Sequence, residues 1–216
     1  MGKGTVTEAV PTLKQREEVL SALSKLRIAS LLLVIATLIT VASSLSLLTT
    51  LFTFNIVAML TMGAGVLVAI LIGLVLIVVG VYVFLLPSAK QFATWRPTEF
   101  STASKLLRIG YIWGVAILIL ALLVIIAGAV SLNLGIAFGG LAIAVIGGIL
   151  FLIGYIGNII YFFKLKDVFN STIFLVAAIL LIIGIFIGIT QFIAWILTFV
   201  ETRSIESKIS SGAIQI

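Results

Sequence analysis

Five long apolar runs separated by short polar gaps dominate the hydrophobic pattern of this chain. They occupy residues 28–51, 56–86, 109–130, 134–163 and 172–200, and none contains an Asp, Glu, Lys or Arg. A helix needs about 20 apolar residues to cross a hydrocarbon core of about 30 Å, and every run reaches that length. A membrane barrel would instead alternate apolar and polar positions over strands of about ten residues. In hydrocarbon only a form that bonds its own backbone can span, so continuous runs of this length predict helices. The expected fold is all-α, a polytopic transmembrane bundle with five spans, carried by a multi-pass protein of the cell membrane. The first run starts too far from Met1, and is too long, to be the apolar core of a cleavable signal peptide.

The polar gaps give this thread a direction. Lys3, Lys14, Arg16, Lys25 and Arg27 precede the first run, Lys90, Arg96, Lys105 and Arg108 lie between the second and third, and Lys164 and Lys166 lie between the fourth and fifth. The two opposite turns, at 49–55 and 131–133, carry no basic residue. Because basic loops are retained in the cytosol, eleven of the 13 Lys and Arg residues fall on the inner face. That leaves Arg203 and Lys208 on an external tail, an N-in/C-out topology. Tyr82, Trp95, Tyr111, Trp113 and Tyr161 fall near the inner head-group level, and Trp195 near the outer end of the fifth span. Runs two, four and five are longer than a bilayer requires and have to tilt or project.

Three domains follow: 1–27, an N-terminal cytoplasmic segment; 28–200, the five-helix transmembrane domain; and 201–216, a short external tail. Within the first, residues 11–27 form an amphipathic pattern, with Leu13, Val19, Leu20, Leu23 and Leu26 on one stripe, expected to lie on the inner membrane surface. Thr12 and Gln15 have the spacing of a capping box. In the loop 87–108, Arg96 and Glu99 flank a proline and are spaced to pair. Asn170-Ser171-Thr172 matches a glycosylation pattern, but its place on the inner face makes the match accidental.

Two features suggest a duplicated helical hairpin running the same way across the membrane twice. Ser24-Lys25-Leu26-Arg27-Ile28-Ala29 precedes the first span, and Ser104-Lys105-Leu106-Leu107-Arg108-Ile109-Gly110 precedes the third. Gly65, Ala69 and Gly73 in the second span are echoed by Gly140, Ala144 and Gly148 in the fourth. Small residues spaced by four let helix backbones approach closely, so these six, with Gly184 and Gly188, are expected to be helix-packing residues. Asn158 and Gln191 are the two intramembrane side chains that need a partner from elsewhere, since Ser and Thr can bond back to their own helix.

Composition narrows the chemistry. A chain of 216 residues that is 62% hydrophobic and 9% charged cannot cover a water-facing surface. The net charge of +6 sits beside the apolar runs, where it meets anionic lipid head groups and not nucleic acid. There is no Cys and no His, and all seven Asp and Glu residues lie outside the runs. No catalytic, metal or cofactor-binding residue emerges from this inventory, and the chain reads as no enzyme.

Ser24-Lys25-Leu26-Arg27 ahead of the first span, Leu107-Arg108-Ile109-Gly110-Tyr111 opening the third, Ile153-Gly154-Tyr155-Ile156-Gly157, and Lys164-Leu165-Lys166-Asp167-Val168-Phe169 together resemble an archaeal membrane family called domain of unknown function 973. The resemblance covers nearly the whole chain. It implies a polytopic helical protein and carries no activity, cofactor or site residue. The expected role is that of a non-catalytic integral membrane protein, self-associating or serving as an accessory subunit beside other membrane proteins. The alternatives are a transporter or channel for small neutral or apolar solutes, and a lipid-handling or membrane-shaping protein.

Overall fold

The computed structural model describes residues 13–53 and 56–214. Pro11 and Thr12, and with Thr12 the capping box, lie outside the described residues, as does the tip of the 49–55 turn. Helices account for nearly all of what is described, and among the described residues there is no strand. Helix α1 (Leu13–Thr53) is followed by α2 (Ile56–Val79), which passes through a π-helical segment, Gly80–Leu85, directly into α3 (Leu86–Trp95). A sharp turn at Arg96 leads to α4 (Pro97–Arg108), a second π segment (Ile109–Trp113) and α5 (Gly114–Val130), again one continuous rod. Then come α6 (Leu134–Phe169), α7 (Thr172–Gly184) and α8 (Gly188–Ser210).

Each boundary has a local cause. Arg96 adopts an extended conformation (φ −129°, ψ 82°), as the residue before Pro97 must, and Pro97 then opens α4 where its missing N–H costs nothing. Asn133 caps α6 by accepting the Ile136 N–H. Asn170 ends that helix in the left-handed region (φ 48°), and the Ser171 hydroxyl caps α7 through the Phe174 N–H. The Asn170-Ser171-Thr172 triplet is thus the stop of one helix and the start of the next.

Four helical rods, 13–46, 68–95, 97–130 and 134–169, are long and apolar enough to cross a membrane. The fifth run is not a single helix. It breaks after Gly184, and α8 folds back along α7, so that Ser171 at the start of α7 donates to Glu201 (2.7 Å) near the end of α8. At 1.5 Å per residue α7 is about 20 Å long, too short to cross the hydrocarbon. Residues 201–216, expected as a short tail, are also largely helical and packed. Residues 201–210 continue α8 antiparallel to α1, where Arg16 donates to the Ile209 and Ser210 carbonyls and Arg27 pairs with Glu206 (2.5 Å). The physical reason is charge: an unbroken helix would carry Glu201, Arg203, Glu206 and Lys208 to the end of the bundle that holds no countercharge.

The amphipathic stripe of the N-terminal segment also faces elsewhere than expected. No break separates it from the first span, and Val19, Leu23 and Leu26 are buried in the protein core, while Leu13 is exposed. That core lies in the half of the molecule holding the charged residues. Phe92 is its hub, with ring centroids 5.1 Å from Phe100, 5.9 Å from Tyr161 and 6.0 Å from Phe169. Trp195 belongs to it as well, packed on Phe162 at 5.6 Å and not at a membrane surface. In the opposite half the chain divides into two arms, α1 with α2 and α5 with α6, each packed within itself and without extensive contact with the other.

The α5–α6 arm is closed by glycine. Gly114, Ala121 and Gly128 on one side, and Gly140, Gly147 and Gly154 on the other, recur every seven residues, the period that keeps one seam in contact along a helix pair. A Cβ at Gly114 would lie 2.7 Å from the Phe151 nitrogen and one at Gly140 2.8 Å from the Ile125 nitrogen. A Cβ at Gly110 would collide with the Gly154 backbone. The spacing of four singled out in the sequence is used unevenly. Gly73 meets Thr40 of α1 and Gly140 meets α5, whereas Gly65 and Gly148 face open space and Ala69 and Ala144 are half-buried. The echoed positions therefore do not make equivalent contacts in the two hairpins.

Gly110→Ala is expected to cost at least about 3 kcal/mol, because the clash is with backbone that cannot give way. Gly148→Ala is expected to be neutral or to add up to about 1 kcal/mol of helix stability. Unfolding of the two variants in the same detergent, monitored by circular dichroism, checks the contrast.

Candidate functional site

The break that ends α7 also builds the one polar cluster that reaches into the apolar part of the hairpin. At the tip the Ile185 N–H bonds to Ile182 O in place of its helical partner Leu181 O. The Tyr155 hydroxyl takes up that orphaned carbonyl at 2.6 Å, and the Thr190 hydroxyl donates to Leu180 O at 3.0 Å. Side chains from α6 and α8 thus satisfy carbonyls that lipid could not. The sequence reading placed Gly184 and Gly188 on a packing face. Both flank the turn: Gly184 ends α7 and packs closely, its Cβ position 3.1 Å from the Gln191 Cβ and 3.2 Å from the Tyr155 hydroxyl, whereas Gly188 opens α8 into free space.

Gln191 consequently sits at the hairpin tip, in the first turn of α8, and not near the outer end of a span. With Tyr155, Gly148, Phe151 and Leu152 of α6, and with Gly184 and Ile185, it lines an open groove of about 380 Å³. Asn158 lies one turn along α6 from Tyr155. It is fully buried, and neither its Oδ1 nor its Nδ2 has a hydrogen-bond partner. Asn158 and Gln191 are therefore not joined to each other. A buried amide left unpaired costs about 1–3 kcal/mol, so Asn158 is the least satisfied polar group of the interior.

Other polar contacts knit the helices. Tyr161 and Ser88 share a hydrogen bond (2.9 Å), and Ser88 donates to Ala22 O (2.7 Å), tying α6 to α3 and α1. The Tyr82 hydroxyl donates to Tyr111 O (2.6 Å), so a side chain of the first π segment meets a carbonyl of the second. Sequence reasoning did not find these links, because a lone Tyr or Ser in an apolar run gives no sign of its partner. At the charged end Glu99 pairs with Lys164 (3.0 Å) and not with Arg96, whose guanidinium stacks on Trp95 at 4.5 Å. Among the described residues no cluster of Asp and Glu is placed to hold a metal ion.

The Glu206 carboxyl has a raised pKa. Burial raises it, and Arg27 offsets part of that rise. Its Oε1 is buried without a partner while Oε2 holds Arg27. Between the ordinary carboxylate range and this raised value the folded chain holds a proton that the unfolded chain has released. Stability therefore falls as pH rises through that window.

These features describe an all-helical chain whose four long apolar helices suggest a membrane protein. The chain matches the family described as protein of unknown function (DUF973) over residues 19–216, and it belongs to that family. No curated protein and no solved structure matches it.

Arg27→Met should lower stability by about 1–2 kcal/mol at neutral pH and by less in mild acid, where Glu206 is protonated; Glu206→Gln should flatten the pH dependence. Thermal unfolding in detergent across pH 4 to 7, an interval chosen to bracket about two units around the carboxylate range, reads both effects. Asn158→Leu, which removes both unpaired atoms at similar volume, should be neutral or stabilising by about 1 kcal/mol in the same assay.

Proposed function

We propose that this chain is a non-catalytic, multi-pass protein of the cell membrane that works as a self-associating or accessory subunit of a larger membrane assembly. In this reading four rods span the bilayer, α7 and α8 form a re-entrant hairpin, and the α1 start and α8 end both face the cytosol. The placement of every described Lys and Arg at one end of the bundle supports that orientation. The observation that carries the subunit role is the division of the outer half, among the described residues, into two arms without extensive contact, each two helices thick. Helices associate in lipid by close packing, and the core-facing half is packed in that way, while in the arms many described side chains of α2, of α5 and of the first half of α6 are exposed. Native mass spectrometry in mild detergent is expected to show dimers, higher oligomers or co-purifying membrane proteins; lone monomers under all mild conditions would count against the role.

A second reading, a transporter or channel for small neutral or apolar solutes, is favoured by a helix break inside the membrane beside Gln191 and Tyr155. Flux of uncharged solutes into liposomes, abolished by Gln191→Leu, is its expected signature. The lipid-handling reading drew on the N-terminal amphipathic stripe, which faces the protein core.

Since the chain has no Cys, single introduced cysteines report sidedness without background. Ser210→Cys is expected to react from the cytosolic side only, and Ser131→Cys from the external side only. Labelling of position 210 from outside intact cells would reverse the orientation.

A further inference from the structure

At the charged end of the third rod, where α4 gives way to the π segment, Lys105 and Arg108 stand one turn apart on the exposed face. Most other cations near the packed core have a partner. Arg27, Lys164 and Lys166 hold carboxylates, Arg16 holds carbonyls and Arg96 lies on Trp95. Among the described residues neither Lys105 nor Arg108 makes an ion pair. Immediately beyond them on the same face come Ile109, Ile112 and Trp113, which are 48%, 40% and 60% exposed. These five side chains line a groove of about 180 Å³, basic at one end and apolar at the other.

The π segment sets this register. Its wider turn brings residues four and five apart onto one stripe, so that Lys105, Ile109 and Trp113 follow one another beside Arg108 and Ile112. The same segment is held from behind by Tyr82, whose hydroxyl occupies the Tyr111 carbonyl. Tyr111 and Gly110 are buried, and the outward face is therefore fixed.

We infer that this groove binds an anionic phospholipid of the leaflet that meets the charged end, with its head-group phosphate between Lys105 and Arg108. Arg108 offers a planar fork and Lys105 a compact charge to the phosphate oxygens. Ile109 and Ile112 lie where the glycerol and first methylene groups follow. Trp113 sits at the level that indole rings favour, between head groups and hydrocarbon. A free phosphate would use the two cations and leave the three apolar side chains idle, and that asymmetry selects the lipid. The inference rests on the membrane reading of the fold, but not on which side of the membrane this end faces.

The test uses the full chain purified in mild detergent, with phosphatidylglycerol and phosphatidylcholine added in turn and retained lipid counted by native mass spectrometry. Phosphatidylglycerol is expected to be retained in preference. Lys105→Gln with Arg108→Gln should weaken that retention about tenfold, in keeping with the attraction of two basic residues near a lipid surface. Lys14→Gln with Lys90→Gln, which removes the same charge from other exposed sites, should leave it unchanged. Quenching of tryptophan emission by phosphatidylglycerol brominated near its head group should disappear in Trp113→Phe. Equal retention of the two lipids would overturn the proposal, as would equal loss in both charge pairs. Displacement by millimolar inorganic phosphate would overturn it in favour of a free-phosphate site. Sidedness plays no part in detergent, so failure here is separate from failure of the cysteine labelling.

Discussion

Placing an ionised side chain in hydrocarbon costs several kcal/mol, and this one penalty organises the whole molecule. Every charged residue of the described chain is gathered at one end of the helices, including the four on α8. To bring Glu201 and Glu206 there, the last apolar run turns back on itself after Gly184. The Arg27–Glu206 pair and the Ser171–Glu201 hydrogen bond are what that return secures. The break frees the Leu181 carbonyl, which the Tyr155 hydroxyl takes up, and the Thr190 hydroxyl adds a bond from α8 to the Leu180 carbonyl of α7.

The two halves of the bundle are held together by different means. At the charged end aromatic rings centred on Phe92 and Phe162 fill the space between α1, α3, α4, α6 and the hairpin. At the other end no such core is found among the described residues, and the α5–α6 arm relies on backbone approach at Gly110, Gly114, Gly140 and Gly154. Dispersion is the available force there, since lipid offers no hydrophobic drive between helices. The resulting shape, solid at one end and forked at the other, is the basis for reading the protein as one part of an assembly.

Some interior hydroxyls, such as those of Ser30, Thr198 and Thr202, bond back to their own helices, and others join different elements. Tyr82, Ser88, Tyr155 and Tyr161 each bond to another helix or to a freed carbonyl, and so fix how the rods meet. Asn158 alone among the buried polar residues of α6 has no partner for either amide atom. The two π segments meet through Tyr82 and Tyr111, which stiffens the third rod where its outward face changes from basic to apolar.

Four of the five membrane-length runs were legible from hydropathy, because continuous apolarity over such lengths has one stable form in lipid. The clustering of Lys and Arg was legible too, and the family membership was carried by short motifs along those same runs. The fifth run shows what hydropathy does not contain. Residues 172–200 are uniformly apolar, and nothing local distinguishes a span from a hairpin. Gly184 and Gly188 permit a break without demanding one; the demand comes from Glu206, 18 residues further on, and its partner Arg27, 179 residues away in sequence. Which of the small residues pack closely was hidden from the sequence for a related reason. A spacing of four marks a face, but only the neighbour decides whether that face is Gly140 against α5 or Gly148 against nothing. Sequence by itself determined the solvent, the helices and the end at which charge must collect, all of which depend on the chain's own composition. Tertiary structure decided the return of α8, the seven-residue seam and the partners of each buried hydroxyl, because each depends on atoms brought together from distant positions.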